Sequence, residues 1–587
     1  MLNNKTTNLI AFFLLSICFL VCVGSIQNMS LTMDEQAHIP SGYSYLRYQD
    51  YRLNPEHPPL AKDLSAIPLL FLNLKFPTDH PCWTKEVNSQ WNCGTEFIFK
   101  SGNNADLLIF SARIPMILLF ILFAWFVFFF TRKLAGNKAA LIALTLTAFS
   151  PTLIAHGRLV TTDIAAAFGA LFATYFWVKF LKEPNKKNIF IAGITLGIAL
   201  CLKFSLVLLI PSLGLTTIIY AFLKGSNKFK SIFYYVGLAL IAGLIAVFLI
   251  IWPLYAFHIH NYPIEKQISD TQEILNSNDN PLKGFGIFVA SNPITRPLGQ
   301  YLLGLLMATQ RVAGGNTVYF LGQVSGNAWM SYFPIMYLLK TPLAFHLLTL
   351  LALGLWLNYL RKTKPLKKPL HKLADWIKNH LEECALLMFF IIYWTTSITG
   401  NLNIGVRHIL PTFPIVYILI SKAIVEFTKQ LKNKRARIGV TITVCILLAW
   451  YIISSLIAYP LYLSYYSELV GGSKNGYKYA VDSNYDWGQD LKRLAEFVEK
   501  NNIEKINVAY FGGDNSYYRL GDKLQNTWIY EQEELNHGWL AISATFLQEK
   551  RAKAAPGCDK NTTALSWLNK YKPAGRAGYS IFIYNLK

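Results

Sequence analysis

Apolar residues along this chain gather into runs close to the roughly 20 residues that a helix needs to cross a bilayer. The pattern predicts about eleven spans, near 9–28, 114–131, 139–155, 162–180, 188–202, 204–223, 232–252, 333–359, 383–399, 408–424 and 438–460. Lys203 and Pro211 interrupt the apolar stretch 188–223, which therefore reads as two short spans. Three long segments lie between or after the spans: 29–113, 253–332 and the tail from 461. Within the first, Leu60 to Leu74 is too short to span and reads as a helix lying at the interface. Asn104 to Arg113 reads as a second such helix, leading into the next span.

The tail follows a different period. Leu491, Leu494, Ala495 and Val498 have helical spacing, and Asn501-Asn502 supply a stop. Strand-like runs follow at 506–511, 539–544 and 579–586, with a helix-like stretch at 564–571. The expected fold class is an α-helical polytopic membrane protein carrying a small C-terminal α/β domain. The membrane module covers 1–460 and the α/β domain 461–587. That domain has neither a Gly-rich nucleotide loop nor a Gly-x-Ser-x-Gly nucleophile turn, so its expected part is to support or screen an acceptor.

Composition and charge agree with a membrane location. Only 15% of the 587 residues are charged, against about a quarter in soluble chains. The formal net charge of +22 resides in alternate short loops: Arg132, Lys133 and Lys138; Lys182, Lys186 and Lys187; Lys224, Lys228 and Lys230; Arg361 to Lys372; Lys429 to Arg437. By the positive-inside rule these loops are cytoplasmic, which puts the N-terminus inside and the three long segments outside a cytoplasmic (inner) membrane. The charge excess is thus accounted for without nucleic acid as a partner. The first apolar run has only Lys5 as a basic flank and a poor cleavage site at Ser25-Ile26-Gln27, so it reads as a retained span.

Cys18, Cys22, Cys201, Cys384 and Cys445 fall in or beside spans and read as small buried apolar residues. Cys82 and Cys93 share the first external loop, where an exported location permits but does not require a disulfide. Asn28 and Asn561 head N-glycosylation patterns, which have meaning only where that pathway exists.

Ionisable residues beside hydrocarbon are costly and are functional candidates for that reason. The topology gathers many at the outer ends of the spans: Asp34 and Glu35; Glu56, His57 and Lys62; His156, Arg158 and Asp163; Lys203; His258 and His260; Arg407 and His408. A few acids among fixed cations suit displacement of a phosphate leaving group, the cations holding phosphate and an acid taking a proton from an incoming hydroxyl. Plainer roles compete. Glu35 can be a solvated loop acid, Lys203 can snorkel, Asp163 can cap a helix, His57 can shape a turn, and Arg113 can anchor a span at the interface. Glu56, His258 and His260 are a weak half-site for a divalent metal ion. A transporter or flippase for lipid-linked sugars would share the cationic site, but calls for charges deep in spans and symmetric halves.

Met33-Asp34-Glu35, His57-Pro58-Pro59-Leu60-Ala61-Lys62, Gly157-Arg158-Leu159-Val160-Thr161-Thr162-Asp163 and Leu202-Lys203-Phe204-Ser205 together resemble the protein O-mannosyltransferase family. The wider group is the GT-C class of polyprenyl-phosphate-dependent glycosyltransferases, which includes the lipid A aminoarabinose transferases. Tyr319 to Pro342 and Asn403-Ile404-Gly405-Val406-Arg407-His408 look like bacterial members. The resemblance implies an inverting transferase that moves a sugar from a polyprenyl-phosphate donor to a hydroxyl of an extracytoplasmic protein, lipid or glycan. It implies Asp34 as the catalytic acid residue with Glu35 as its partner. It puts His57, Lys62, Arg158, Asp163, Lys203, Arg407 and His408 near donor phosphate or substrate, and leaves a divalent metal open. Segment 253–332 is too short for the β-trefoil of the eukaryotic enzymes, and the C-terminal domain is additional.

Overall fold

The structure is a computed structural model that describes residues 3–276, 282–362, 369–527, 537–558 and 562–586. Asn561 and residues 363–368 of the basic loop 361–372 lie outside the described residues. Among the described residues, nine helices are long and apolar enough to cross a membrane. They begin with α1 (Asn4–Ile26) and run to Lys434–Ile457.

The expected count of about eleven is not confirmed. The difference arises at two places. The helix Lys186–Leu200 has only 15 residues, about 22 Å at 1.5 Å per residue, short of a roughly 30 Å hydrocarbon core. Ala105–Ala148 is continuous in hydrogen bonding over 44 residues but contains a break at Gly136, whose φ of 83° lies outside the helical region. Glycine adopts that conformation without a Cβ penalty, and it turns the chain between the basic residues Lys133 and Lys138. Asn104 caps this helix at Leu107 N–H, so the segment read as a separate interfacial helix is the start of a span.

Large apolar side chains on the outer helices face outward: Phe12 is 70% exposed and Phe233 76%. In water such a surface would be a liability; against lipid it is the expected surface. Cys445 is also exposed, contrary to the buried position expected for it, while Cys18, Cys22, Cys201 and Cys384 are buried. The helix α1 and the helix Phe413–Lys429 both pack on Ala105–Ala148, which forms the middle of the bundle.

The first loop is ordered by its own secondary structure. The helix α2 (Met33–Tyr48) starts immediately after α1, and a short helix Leu60–Ala66 continues as a 3-10 turn to Phe71. Ile67, Leu70 and Phe71 are exposed, in keeping with a segment lying at an interface. Cys82 and Cys93 form a disulfide that closes this loop.

In the tail, Leu491–Lys500 is a helix whose Leu491, Leu494 and Val498 are fully buried. It packs beside a five-stranded sheet. Numbering strands along the chain, β1 (Val318–Phe320) and β2 (Gln323–Ser325) form a hairpin in the second long loop, whose sheet β6 (Lys553–Ala554) of the tail completes in parallel with β2. The larger sheet has the order β4 (Leu524–Thr527), β3 (Ile506–Ala509), β5 (Gly538–Ser543), β8 (Ile581–Leu586), β7 (Gly575–Ala577). Its β3 is parallel to β4 and β5, and β8 is antiparallel to β5 and β7. The stretch expected as a helix at 564–571 is a single 3-10 turn, Ser566–Lys570.

The join at 460/461 is not a loose linker. Tyr462, Tyr466, Tyr485 and Trp487 are all buried, and the segment between Tyr462 and Gln489 runs as short 3-10 turns against the ends of the helices. Lys340, at the end of the helix Tyr332–Lys340, donates to the carbonyls of Leu463, Tyr465 and Asn484 at 3.0, 2.5 and 2.6 Å. A buried ammonium thus fastens the tail to the bundle.

Candidate active site

A cavity of about 650 Å³ opens at the end of the bundle where the long loops meet. Asp34, Glu56, His57, Lys203, Arg407 and His408 line its polar side, with Trp91, Gln90 and Arg311. Val207, Leu208, Leu305, Val312, Phe333 and Leu402 line the remainder and make it largely apolar. Sites for small molecules commonly have this character, with a few convergent polar groups in an apolar cleft.

Asp34 occupies the first turn of α2, where the N-terminal end of the helix favours negative charge. Its Oδ2 accepts from Arg407 at 2.6 Å. The same guanidinium nitrogen lies 3.6 Å from Asp163 Oδ2, and Asp163 Oδ1 accepts from Lys203 Nζ at 2.5 Å. Two acids and two cations therefore alternate as Asp34, Arg407, Asp163, Lys203. Asp163 is fully buried, while 19% of the Asp34 side chain remains exposed toward the cavity. Asp34 Oδ1 makes no hydrogen bond among the described residues.

Asp163 opens the helix Asp163–Lys182 but does not cap it: the N-cap is Thr162, without a side-chain cap bond, and the Asp163 carboxylate is taken up by its ion pairs. Lys203 follows the helix Lys186–Leu200 in extended conformation, which directs it across to Asp163 rather than along the span. Arg407 and His408 sit in the 3-10 turn Val406–Thr412. Gly405 before it passes against the tail: a Cβ there would lie 2.2 Å from Ser483 Oγ and would force that hydroxyl to turn away.

His57 faces the same cavity and packs edge-on against His38 at 5.2 Å. Burial pushes the His57 imidazole well below its usual range, and the nearby His38, Lys62, Lys203 and Arg407 charges push it further. It is therefore a neutral hydrogen-bonding group near pH 7.

Several sequence candidates stand apart from the cavity. Glu35 is fully buried and forms a two-pronged pair with Arg113, at 2.8 Å to Nε and 2.6 Å to NH2. It also accepts from Thr32 N–H and Oγ, and from Val160 N–H. This is a capping box at the start of α2, so Glu35 orients the turn that carries Asp34 and is neither a solvated acid nor a wall of the cavity. Burial raises the Glu35 carboxyl, but Arg113 and the two backbone donors outweigh it and leave the group below its usual value. Arg113 is likewise no interfacial anchor: it is buried and donates to the carbonyls of Met29 and Ser30.

Lys62 is also diverted. Its ammonium lies within 2.8–3.1 Å of Tyr45 OH, Asn54 O, Asn54 Oδ1 and His57 O, inside the loop. It braces the turn that presents His57. Arg158 donates to Ser25 O at 2.9 Å and Pro460 O at 3.1 Å, stitching the end of α1 to the tail. Neither lines the cavity, because buried carbonyls claim their donors. His156 packs edge-on against Trp487.

The metal candidates do not converge. His258 Nε2 is 3.0 Å from Asp63 Oδ2, and Glu56 accepts from Gln90 at 3.0 Å. Among the described residues, no three histidine, cysteine, aspartate or glutamate side chains form a group able to hold a metal ion.

Four contributors escaped the sequence reading: Trp487, whose ring lies 4.3 Å from the Arg407 guanidinium, Asn484, Arg311 and Lys340. Asn484 accepts from Val406 N–H at 2.9 Å and donates to Tyr332 OH at 2.7 Å. Lys340 had a visible signal, a lone lysine ending an apolar helix. Trp487 and Asn484 had none, because their roles depend on where the tail returns.

Residues 105–252 match the family model described as dolichyl-phosphate-mannose-protein mannosyltransferase. The chain resembles the protein O-mannosyltransferases and has a GT-C fold. The matched stretch includes Arg113, Arg158, Asp163 and Lys203. The S. cerevisiae Pmt1-Pmt2 complex bound to the sugar donor aligns at a TM-score of 0.54 and 12% identity, over 78% of this chain and 90% of that one. ArnT from Cupriavidus metallidurans aligns at 0.44 and 10% identity, over 98% and 97%. The oligosaccharyltransferase AglB from Archaeoglobus fulgidus aligns at 0.45 and 13% identity, over 98% and 74%. No curated protein matches the chain in sequence.

Proposed function

We propose that this protein is a membrane glycosyltransferase that moves a sugar from a polyprenyl-phosphate donor to a hydroxyl of an extracytoplasmic acceptor, with inversion at the anomeric carbon. The observation that carries the reading is the cavity in which Asp34, Lys203 and Arg407 meet beside a long apolar wall. A lipid phosphate needs both: fixed cations for the phosphate and an apolar surface for the chain.

In this reading Asp34 Oδ1 takes the proton of the acceptor hydroxyl as its oxygen bonds to the anomeric carbon. The bond from that carbon to the phosphate oxygen breaks on the opposite face, and polyprenyl phosphate leaves. Lys203 and Arg407 stabilise the negative charge that grows on the phosphate, with Arg407 able to present a fork. His57, His408 and Arg311, which also line the cavity, supply further donors. Glu56, Gln90 and Trp91 form the wall nearest the first loop, where the sugar and acceptor would sit. Glu35, Arg113, Lys62 and Arg158 act by holding the chain that presents these groups.

The test is transfer from labelled polyprenyl-phosphate sugars by the purified full-length protein in lipid, across donors carrying mannose, other hexoses and aminopentoses. Transfer with inverted configuration supports the reading. Movement of intact donor across the bilayer without cleavage of the sugar–phosphate bond would replace it with a flippase.

A further inference from the structure

The Asp34–Arg407 pair rests on a residue that belongs to neither α2 nor the membrane helices. Trp487 is 1% exposed and lies in the tail. The Arg407 guanidinium stands over its ring at 4.3 Å. On its other side, the Trp487 carbonyl accepts from Met33 N–H at 3.1 Å, one residue before Asp34. One residue thus touches Arg407 through its ring and, through its backbone, the residue that precedes Asp34.

Trp487 is itself fixed. Its N–H donates to Gln489 Oε1 at 2.8 Å, and the amide of that glutamine donates to Tyr485 O at 2.8 Å and Ser464 Oγ at 3.1 Å. Ser30 N–H donates to Gln489 O at 3.1 Å, a second tie between the tail and the approach to α2. Arg407 needs such support. It carries an ion pair at 2.6 Å on one side and a second acid at 3.6 Å on the other, and a long side chain between two acids has several competing positions. An aromatic face beneath a desolvated guanidinium removes most of them.

We propose that Trp487 is a positioning residue that sets Arg407 and Asp34 for the reaction, making the tail part of the active site and not only a cover for it. The inference rests on the transferase reading above. It separates this chain's tail from a detachable accessory domain: loss of the tail would disarm the cavity even with every membrane helix in place.

The experiment uses the full chain in nanodiscs and undecaprenyl phosphate as the probe, with binding followed by native mass spectrometry and folding by thermal unfolding. Trp487→Leu is expected to bind about tenfold more weakly, and Trp487→Phe to keep affinity within about threefold, since an aromatic face is retained. A folded Trp487→Leu protein that binds as tightly as the unaltered chain overturns the inference. Should Trp487→Leu fail to fold, a fluorinated tryptophan placed at 487 keeps the shape and weakens the ring face. About fivefold weaker binding then supports the inference, and unchanged binding overturns it. If the unaltered protein binds no undecaprenyl phosphate, the transferase reading itself fails, and this inference with it.

Discussion

Asp34 and Arg407 are 373 residues apart in sequence and 2.6 Å apart in space. In the proposed reaction the pairing gives each carboxylate oxygen of Asp34 a different task. Oδ2 is committed to the guanidinium, which fixes the side chain's rotation, and Oδ1 is left facing the cavity. Asp34→Asn preserves shape and removes the base. Its expected effect is a fall in kcat of about 10²–10⁴-fold with little change in the melting temperature. Full transfer activity in this variant would sink the assignment of Asp34 as base.

Arg407 is shared between Asp34 and Asp163, and lysine cannot reproduce that geometry. A single ammonium is a point charge without a planar fork. Arg407→Lys is therefore expected to raise KM for the lipid donor about tenfold and to lower kcat as well, because Asp34 loses its orientation. Arg407→Ala leaves the two acids facing each other and is expected to lose activity further. Equal kinetics for the lysine variant and the unaltered enzyme would show that Arg407 is a plain electrostatic counterweight. Steady-state kinetics over a range of donor concentrations distinguish these outcomes.

The sequence allowed the class of protein, the positions of most helices and three of the tail's strands, β3, β5 and β8, to be read, because each rests on a local period. The α2 motif, Lys203 and Arg407 were also visible, since charged residues beside apolar runs need a reason to be there. What could not be read was which charges face the cavity and which serve the scaffold. Glu35 and Asp34 are adjacent and chemically alike, yet α2 turns one into a capping box and the other outward. Lys62 and Lys203 are both buried cations, and only the arrangement of Asn54 and His57 carbonyls around Lys62 separates them. The break at Gly136, by contrast, falls between the spans read at 114–131 and 139–155, where Arg132, Lys133 and Lys138 marked a loop.

The Glu35–Arg113 pair makes a contrasting prediction. Both side chains are at most 1% exposed. Removing one partner strands the other charge in a dry interior, at a cost of about 3–5 kcal/mol. Glu35→Ala and Arg113→Ala are each expected to lower thermal stability and to reduce activity through loss of folded protein. The double variant should recover part of that stability, although Thr32 and Val160 N–H remain without their acceptor. Differential scanning fluorimetry of the three proteins checks this. An Asp34→Asn protein showing the same loss would remove the distinction between the two neighbouring acids.

Asp486 in the tail gives the molecule a pH dependence of defined sign. It is fully buried, its Oδ2 accepts from Thr545 N–H at 2.9 Å, and Asp490 lies nearby. Burial raises its carboxyl from the ordinary 3.8 to about 7, with Asp490 adding to the rise and the Thr545 donors opposing it. A raised acid is stabilising while protonated. Its contribution is complete below the unfolded value of 3.8 and is lost as pH rises through about 7. Asp486→Asn keeps an acceptor for Thr545 and cannot ionise. Its melting temperature is expected to match that of the unaltered protein below about pH 3.8, to exceed it increasingly as pH rises toward about 7, and to stay a few degrees above it at higher pH. Melting curves of both proteins across that range decide the matter: parallel curves would mean that Asp486 does not titrate there, and a variant less stable at high pH would mean that the charged form is the one the tail is built to hold.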